Sequence, residues 1–241
     1  MQNSQTHYKT HLGPIYSWML GDLQAAFARG KADIDALPLP AGGIAVDLGA
    51  GLGLHSLALA KRGFDVVALD NCQVLLDELR VHAQSLPIAT RYADLLQFPS
   101  FVKGPVRVIV CMGDTLTHLP TLSGVESLLS SVAAALSRGG VFAATFRDYA
   151  TRTLQGEQRF ILVRADENRI LTCFLEYQDT HVTVHDIVTE KQQGQWRQTV
   201  SSYPKLRLAP EWLVDRLTEG GFSVQRDAAP SGMVRIIATK I

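Results

Sequence analysis

Three things are scarce in this 241-residue chain, and each scarcity excludes a class of function. Charge imbalance is absent: Lys+Arg and Asp+Glu both number 23, so no global field draws the protein to nucleic acid or to an acidic membrane. Cysteine is scarce and scattered. Cys72, Cys111 and Cys173 form no C-x-x-C pair, which leaves neither a disulfide framework nor a zinc site indicated and fits a reducing cytoplasm. Long apolar runs are also missing. No uncharged stretch reaches the roughly 18 residues that suggest a membrane span, and the N-terminus lacks the basic region and apolar core of a signal peptide. The expectation is a cytoplasmic protein with no nucleic acid and no membrane among its partners. At 46% hydrophobic and 19% charged residues, the chain is ordinary for one large globular α/β domain.

What is present centres on Ile44–Gly63. An apolar run, Ile44 to Leu48, reads as a buried parallel strand; Gly49, Gly51 and Gly53 follow at alternate positions, and a helical pattern then runs to Gly63. Strand, glycine turn and helix begin a nucleotide-binding unit, because glycines let a ligand lie against bare main chain at a helix N-terminus. A second strand, Asp65 to Asp70, ends in an acid about 20 residues past the glycines, where a carboxylate can accept both ribose hydroxyls of a nucleoside. A dinucleotide fingerprint requires glycine or alanine at the sixth position of G-x-G-x-x-G, and here that position is Leu54.

The pattern Asp47-x-Gly49-x-Gly51-x-Gly53 instead resembles the first motif of the Rossmann-like, class I S-adenosylmethionine (SAM) methyltransferases. With Asp70 and the later strands, the resemblance covers most of residues 40–241. It implies an α/β, doubly wound, mostly parallel seven-stranded sheet ending in an antiparallel hairpin, and SAM as cofactor with S-adenosylhomocysteine as product. It also implies roles: Gly49, Ala50, Gly51 and Gly53 lie along the amino-acid moiety beside Asp47, while Asp70 with Asn71 holds the ribose. The segment Ala93-Asp94-Leu95 is similar to the motif where an acid or amide reads the adenine amine; Asp94 can equally cap the next short helix.

A nearly all-apolar strand from Val106 runs into Met112-Gly113-Asp114-Thr115-Leu116-Thr117-His118-Leu119. This resembles the G-[DN]-[ST]-x-x-H-L pattern of enzymes related to glycine and sarcosine N-methyltransferases, and implies that Met112, Gly113 and Asp114 border the methionine portion of SAM. Two absences narrow the reaction. No [DN]-P-P-[YFW] motif for planar amino groups is present, and no Pro-Cys nucleophile for cytosine C5 chemistry, so Cys111 reads as a small buried hydrophobe. His118 divides evenly between a catalytic base and a structural hydrogen-bonder. After strand five, Val141 to Phe146, come Arg147-Asp148-Tyr149 at the edge that borders the crevice of a doubly wound sheet; a salt-bridged strand end is the competing reading. Asp148 or His118 is the candidate base and Tyr149 the residue that would position the acceptor.

The remaining segments are embellishments of one domain. Residues 1–43 form a helical cap, with a helix from Pro14 through Tyr16, Met19, Leu20, Leu23 and Phe27 and a stop at Gly30; Tyr16 and Trp18 are suited to contact the cofactor's sulfonium or adenine end. Residues 44–149 are the SAM-binding core. Residues 158–206 read as an antiparallel meander of Val-, Thr- and aromatic-rich runs, as in insertions that cover the acceptor, which makes Tyr177, Trp196, Arg197 and Tyr203 substrate candidates. His181 and His185 fall on one of these strands, so their spacing does not signal a metal. Residues 207–241 supply a helix and a hairpin across Pro230-Ser-Gly232. The reading is a SAM-dependent methyltransferase acting at N or O of a small-molecule acceptor, as monomer or homodimer. An NAD(P)-dependent oxidoreductase and a SAM-binding protein without transferase activity are the alternatives.

Overall fold

The computed structural model describes residues 4–241. A seven-stranded sheet is built from β1 (Gly43–Leu48), β2 (Phe64–Asp70), β3 (Ile88–Tyr92), β4 (Val106–Cys111) and β5 (Leu136–Phe146), with β10 (Phe222–Ala229) and β11 (Met233–Lys240) closing it. The strand order is β10-β11-β5-β4-β1-β2-β3. The first five strands pair in parallel, whereas β11 is antiparallel to both β5 and β10. This is the expected doubly wound sheet with its terminal hairpin.

Both faces of the sheet are buried, which is why its central strands read as continuous apolar runs. Side chains alternate between the faces. Val46, Leu48, Ile109, Cys111 and Phe142 join one core with α6 (Leu122–Ala135) and α7 (Pro210–Glu219); Ala45, Val66, Ala68, Val108 and Val110 join the other with α4 (Leu54–Lys61) and α5 (Gln73–Ala83). The strand order reverses between β1 and β4, and a cleft opens at the carboxyl ends of strands at such a switch point.

The insertion is a separate four-stranded antiparallel sheet in the order β6-β7-β8-β9, formed by β6 (Phe160–Ala165), β7 (Arg169–Tyr177), β8 (His181–Gln192) and β9 (Gln195–Leu206). The N-terminal segment packs on it. Leu12 and Ile15 bury against Leu171 and Val188, with Tyr8, Tyr16, Trp18 and Met19 around them.

The cap itself departs from the expected single helix. Helical turns begin at α1 (Ser4–His7) and continue to α2 (Tyr16–Leu20); the chain then turns at Gly21, and Asp22 caps α3 (Leu23–Asp35) by accepting the Gln24 and Ala25 amides at 2.8 and 3.2 Å. Gly30 is therefore not a stop but lies inside α3. It permits close approach to α4, since a Cβ there would stand 2.6 Å from the Leu54 carbonyl oxygen.

Candidate functional site

The cleft at the switch point is floored by the turn between β1 and α4. Gly49, Ala50 and Gly51 line it, and the Gly49 and Ala50 amides are pinned on the Leu69 carbonyl at 2.9 Å each. Gly53 does not reach the cleft. At φ 94° it caps α4, and a Cβ there would fall 2.1 Å from Leu79 Cδ1, so this glycine serves packing rather than the ligand. Asp47 is likewise behind the loop: it shares a face with Ala45 and is 1% exposed. It accepts the Ser56 hydroxyl at 2.6 Å, and burial raises its carboxyl above the usual range.

Asp70 ends β2 on the cleft wall beside Asn71. One carboxylate oxygen accepts the Gly51 amide at 2.8 Å and the other the Cys72 amide at 2.7 Å. This acid therefore ties the glycine turn to the start of α5 while facing the cavity. Burial pushes its carboxyl up to about 6, against the opposing pull of those two amides. Across the cleft stand Ala93, Asp94 and Leu95. Asp94 also caps the short helix Leu95–Phe101, accepting the Leu96 amide at 2.8 Å, so the capping reading holds while the residue still lines the cleft.

The cleft's other end is built from the segment after β4, the cap and the meander. Met112, Gly113, Thr115 and His118 line it, as do Tyr8 and Tyr16 from the cap. The post-β4 turn is fixed to β5, with the Gly113 amide on Thr145 Oγ1 at 2.8 Å and the Asp114 amide on the Thr145 carbonyl at 2.9 Å. His118 is half-buried, its ring stacked at 17° on Tyr203 with centroids 5.5 Å apart, and Tyr8 lies edge-on to it at 5.5 Å. Its Nδ1 is buried with no protein partner among the described residues. Burial, reinforced by the Lys205 ammonium, lowers this imidazole to about 3, so it is neutral at physiological pH.

Four further expected site residues are placed outside the cleft, each for a visible reason. Asp114 is 1% exposed and turns its carboxylate toward Lys205, the Arg147 amide at 2.9 Å, the Thr117 hydroxyl at 3.0 Å and the Tyr149 hydroxyl at 3.1 Å. Burial works to raise its carboxyl, yet Lys205 and Arg147 hold it below the usual range. Tyr149 is occupied in that same knot. Asp148 uses its carboxylate on the following turn, accepting the Ala150 and Thr151 amides at 3.1 and 2.8 Å as well as the Thr151 hydroxyl. Trp18 leaves the cofactor side altogether: its indole donates to Asp166 and lies between Arg164 and Arg169, 5.5 and 5.0 Å from the ring centroid, clipping the cap to the β6–β7 turn.

Tyr8, Ser4, Leu52, His55, Thr115 and Leu119 also line the cleft without having been expected there. For Tyr8 a signal existed: Tyr8, Leu12, Ile15, Tyr16 and Met19 continue one helical stripe upstream of Pro14. Among the meander's substrate candidates, Tyr203 is 4% exposed and meets the cleft through the rings of His118 and Tyr8, whereas Trp196 and Arg197 are exposed near the β8–β9 turn.

Comparison with known proteins matches residues 45–140 to a family model described as a methyltransferase domain. The glycine/sarcosine N-methyltransferase of Parasynechococcus marenigrum is 28% identical over 113 residues, 46% of this chain and 40% of that protein. The matched segment thus spans under half the length of this curated relative. In fold, the chain is similar to an S-adenosylmethionine-dependent methyltransferase of Clostridium acetobutylicum, with TM-score 0.76 at 14% identity over 93% of this chain and 97% of that one. It is also similar to an S-adenosylmethionine-bound amino pentose methyltransferase of Micromonospora echinaspora, with TM-score 0.71 at 16% identity over 92% of each chain.

Proposed function

Starting from a class I, Rossmann-like S-adenosylmethionine-dependent methyltransferase fold, we propose that this protein methylates a nitrogen or oxygen of a small-molecule acceptor, with an amine nitrogen favoured. The family match, the fold and the cleft identify SAM as the cofactor. The residues present fit it. Asp70 offers carboxylate oxygens to two ribose hydroxyls, Asp94 and Leu95 offer an acid and an apolar wall to adenine, and Gly49 to Gly51 with Tyr16 leave bare main chain and a ring for the methionine portion. Bound there, SAM supplies a methyl group already activated on a sulfonium.

The protein's share is to orient the nucleophile, exclude water and let a proton leave to solvent. The observation that carries the reading is His118: a neutral imidazole on the wall of the cleft, with Nδ1 buried and Nε2 left as the ring nitrogen that can face the cavity, can accept a hydrogen bond at Nε2 from an acceptor N–H and so aim its lone pair. Tyr8 and Tyr203 hold the ring from two sides. Asp148 is not assigned the base, because its carboxylate is taken by the turn it caps. An amine acceptor is further supported by the names of the similar proteins, an amino pentose methyltransferase and a glycine/sarcosine N-methyltransferase.

Incubation with methyl-labelled SAM and a panel of amino sugars, amino acids and hydroxylated analogues tests this. Label transfer to an amine supports the proposal, and His118→Ala should then lower kcat by roughly 2–10-fold, the loss of one orienting neutral hydrogen bond, with SAM affinity kept. SAM binding without transfer to any acceptor in the panel would favour a SAM-binding protein without transferase activity.

A further inference from the structure

Strand β9 shapes the cleft without lining it. Ser201, Tyr203 and Lys205 fall on one of its faces, because side chains alternate along a strand. Each grips a different part of the site. Ser201 Oγ lies 2.8 Å from His7 Nδ1 in the cap; the Tyr203 ring stands 4.1 Å from His7 and 5.5 Å from His118; the Lys205 ammonium donates to Asp114 in the turn that leads to His118. Lys205 is 6% exposed, and its Nζ lies 5.9 Å from the ring centroids of both Tyr149 and Tyr203.

We propose that Lys205 is a positioning residue for methyl transfer: pinned on Asp114 behind the Tyr203 ring, it keeps the His118 imidazole a proton-free hydrogen-bond acceptor for the incoming nucleophile. The proposal rests on the methyltransferase reading of the cleft and extends it to a residue that touches neither cofactor nor acceptor.

The charged and titratable groups around His118 come from four places. Strand β9 supplies Lys205 and Tyr203, the cap supplies His7 and Tyr8, the post-β4 turn supplies Asp114, and the segment after β5 supplies Arg147 and Tyr149. Asp114 is the one acid in this set. Its carboxylate is already shared among Lys205, Arg147, Tyr149 and Thr117, so little of its field is left to draw a proton onto the ring. Burial removes the water that would solvate an imidazolium, and Lys205 opposes it further. A charged ring would fail twice: it would donate where an acceptor is required, and it would stand against the positive sulfonium. A plain lid-packing ion pair would give the same contacts but no influence on His118.

The test is a pH titration of the His118 ring by NMR on the full chain with S-adenosylhomocysteine bound, the resonance being assigned by its loss in His118→Gln. In wild type the ring stays flat from about pH 8 to about pH 5, below the ordinary histidine midpoint. In Lys205→Met, where the ammonium goes and the pull of Asp114 remains, the midpoint moves up into that window. The acid limb of methyl transfer moves with it. Where Lys205→Met fails to fold, Lys205→Gln decides, because it keeps a donor for Asp114 without the charge, and its midpoint also enters the window. A wild-type ring that titrates normally, or a ring that stays flat in the folded variant, overturns the proposal. Failure of wild type to bind S-adenosylhomocysteine counts instead against the methyltransferase reading, and the ring titration can still be read on the free protein.

Discussion

The two ends of the cleft are built in different ways. At the cofactor end, the decisive polar contact joins residues 19 apart, Gly51 and Asp70, across two neighbouring parallel strands. At the end proposed for the acceptor, contacts join residues 91 apart (Asp114 and Lys205), 179 apart (His7 and Asp186) and 194 apart (His7 and Ser201). A β-turn-α unit makes the first end by itself. The second exists only once cap, meander and core have docked, whereas the first is held by local geometry.

The sharpest way to break this contrast is to remove the acceptor end's central charge. Asp114→Ala leaves Lys205 buried without its partner and should cost about 3–5 kcal/mol of stability, read from a denaturant melt. A loss below about 1 kcal/mol would mean that the two ends are not separately held.

Asp70→Ala probes the other end. Hydrogen bonds to a charged group contribute about 1.5–3 kcal/mol, so SAM affinity should fall by roughly 10–150-fold, and Asp70→Asn should cost less. Because Asp70 also receives the Gly51 and Cys72 amides, a stability loss of about 1–3 kcal/mol should accompany it. An affinity unchanged in a folded but weakened variant would leave Asp70 as a helix and turn clamp only.

The same acid sets a pH dependence. Its carboxyl is raised to about 6, so SAM affinity measured by calorimetry should decline as pH falls through about 6, where protonation removes a ribose acceptor. For the ligand-free protein the sign is opposite. An acid with a raised folded-state value stabilises the fold most below its unfolded value near 3.9, and that contribution is lost as pH rises through about 6.

How much of this was legible follows from the same contrast. The glycine turn, Asp70, Asp94 and the meander could be read because each is a local pattern: a period of two, a period of 3.6, or a turn signal. Gly30 misled because its reason is the Leu54 backbone packed against it, a contact no window of sequence contains. Trp18 was assigned to the cofactor by residue type and instead pairs with Asp166 from the meander. Lys205 and His7 had no local pattern at all, since their partners are distant in sequence. Asp114 and Asp148 stood at the expected strand ends, but which way a carboxylate turns is decided by the donors around it.

The smallest effect is expected far from both ends. Arg197 was a substrate candidate by its place in the meander, but it is exposed near the β8–β9 turn, so Arg197→Ala should leave both KM values within about twofold and stability within about 0.5 kcal/mol. A large rise in acceptor KM would move the acceptor site outward along the meander.

Isothermal titration of SAM and, separately, NAD into the wild-type protein tests the central claim most directly. The account predicts one saturable site for SAM, competed by S-adenosylhomocysteine and weakened by at least about tenfold in Asp70→Ala, with no heat of binding from NAD. Saturable NAD binding with none from SAM would contradict it.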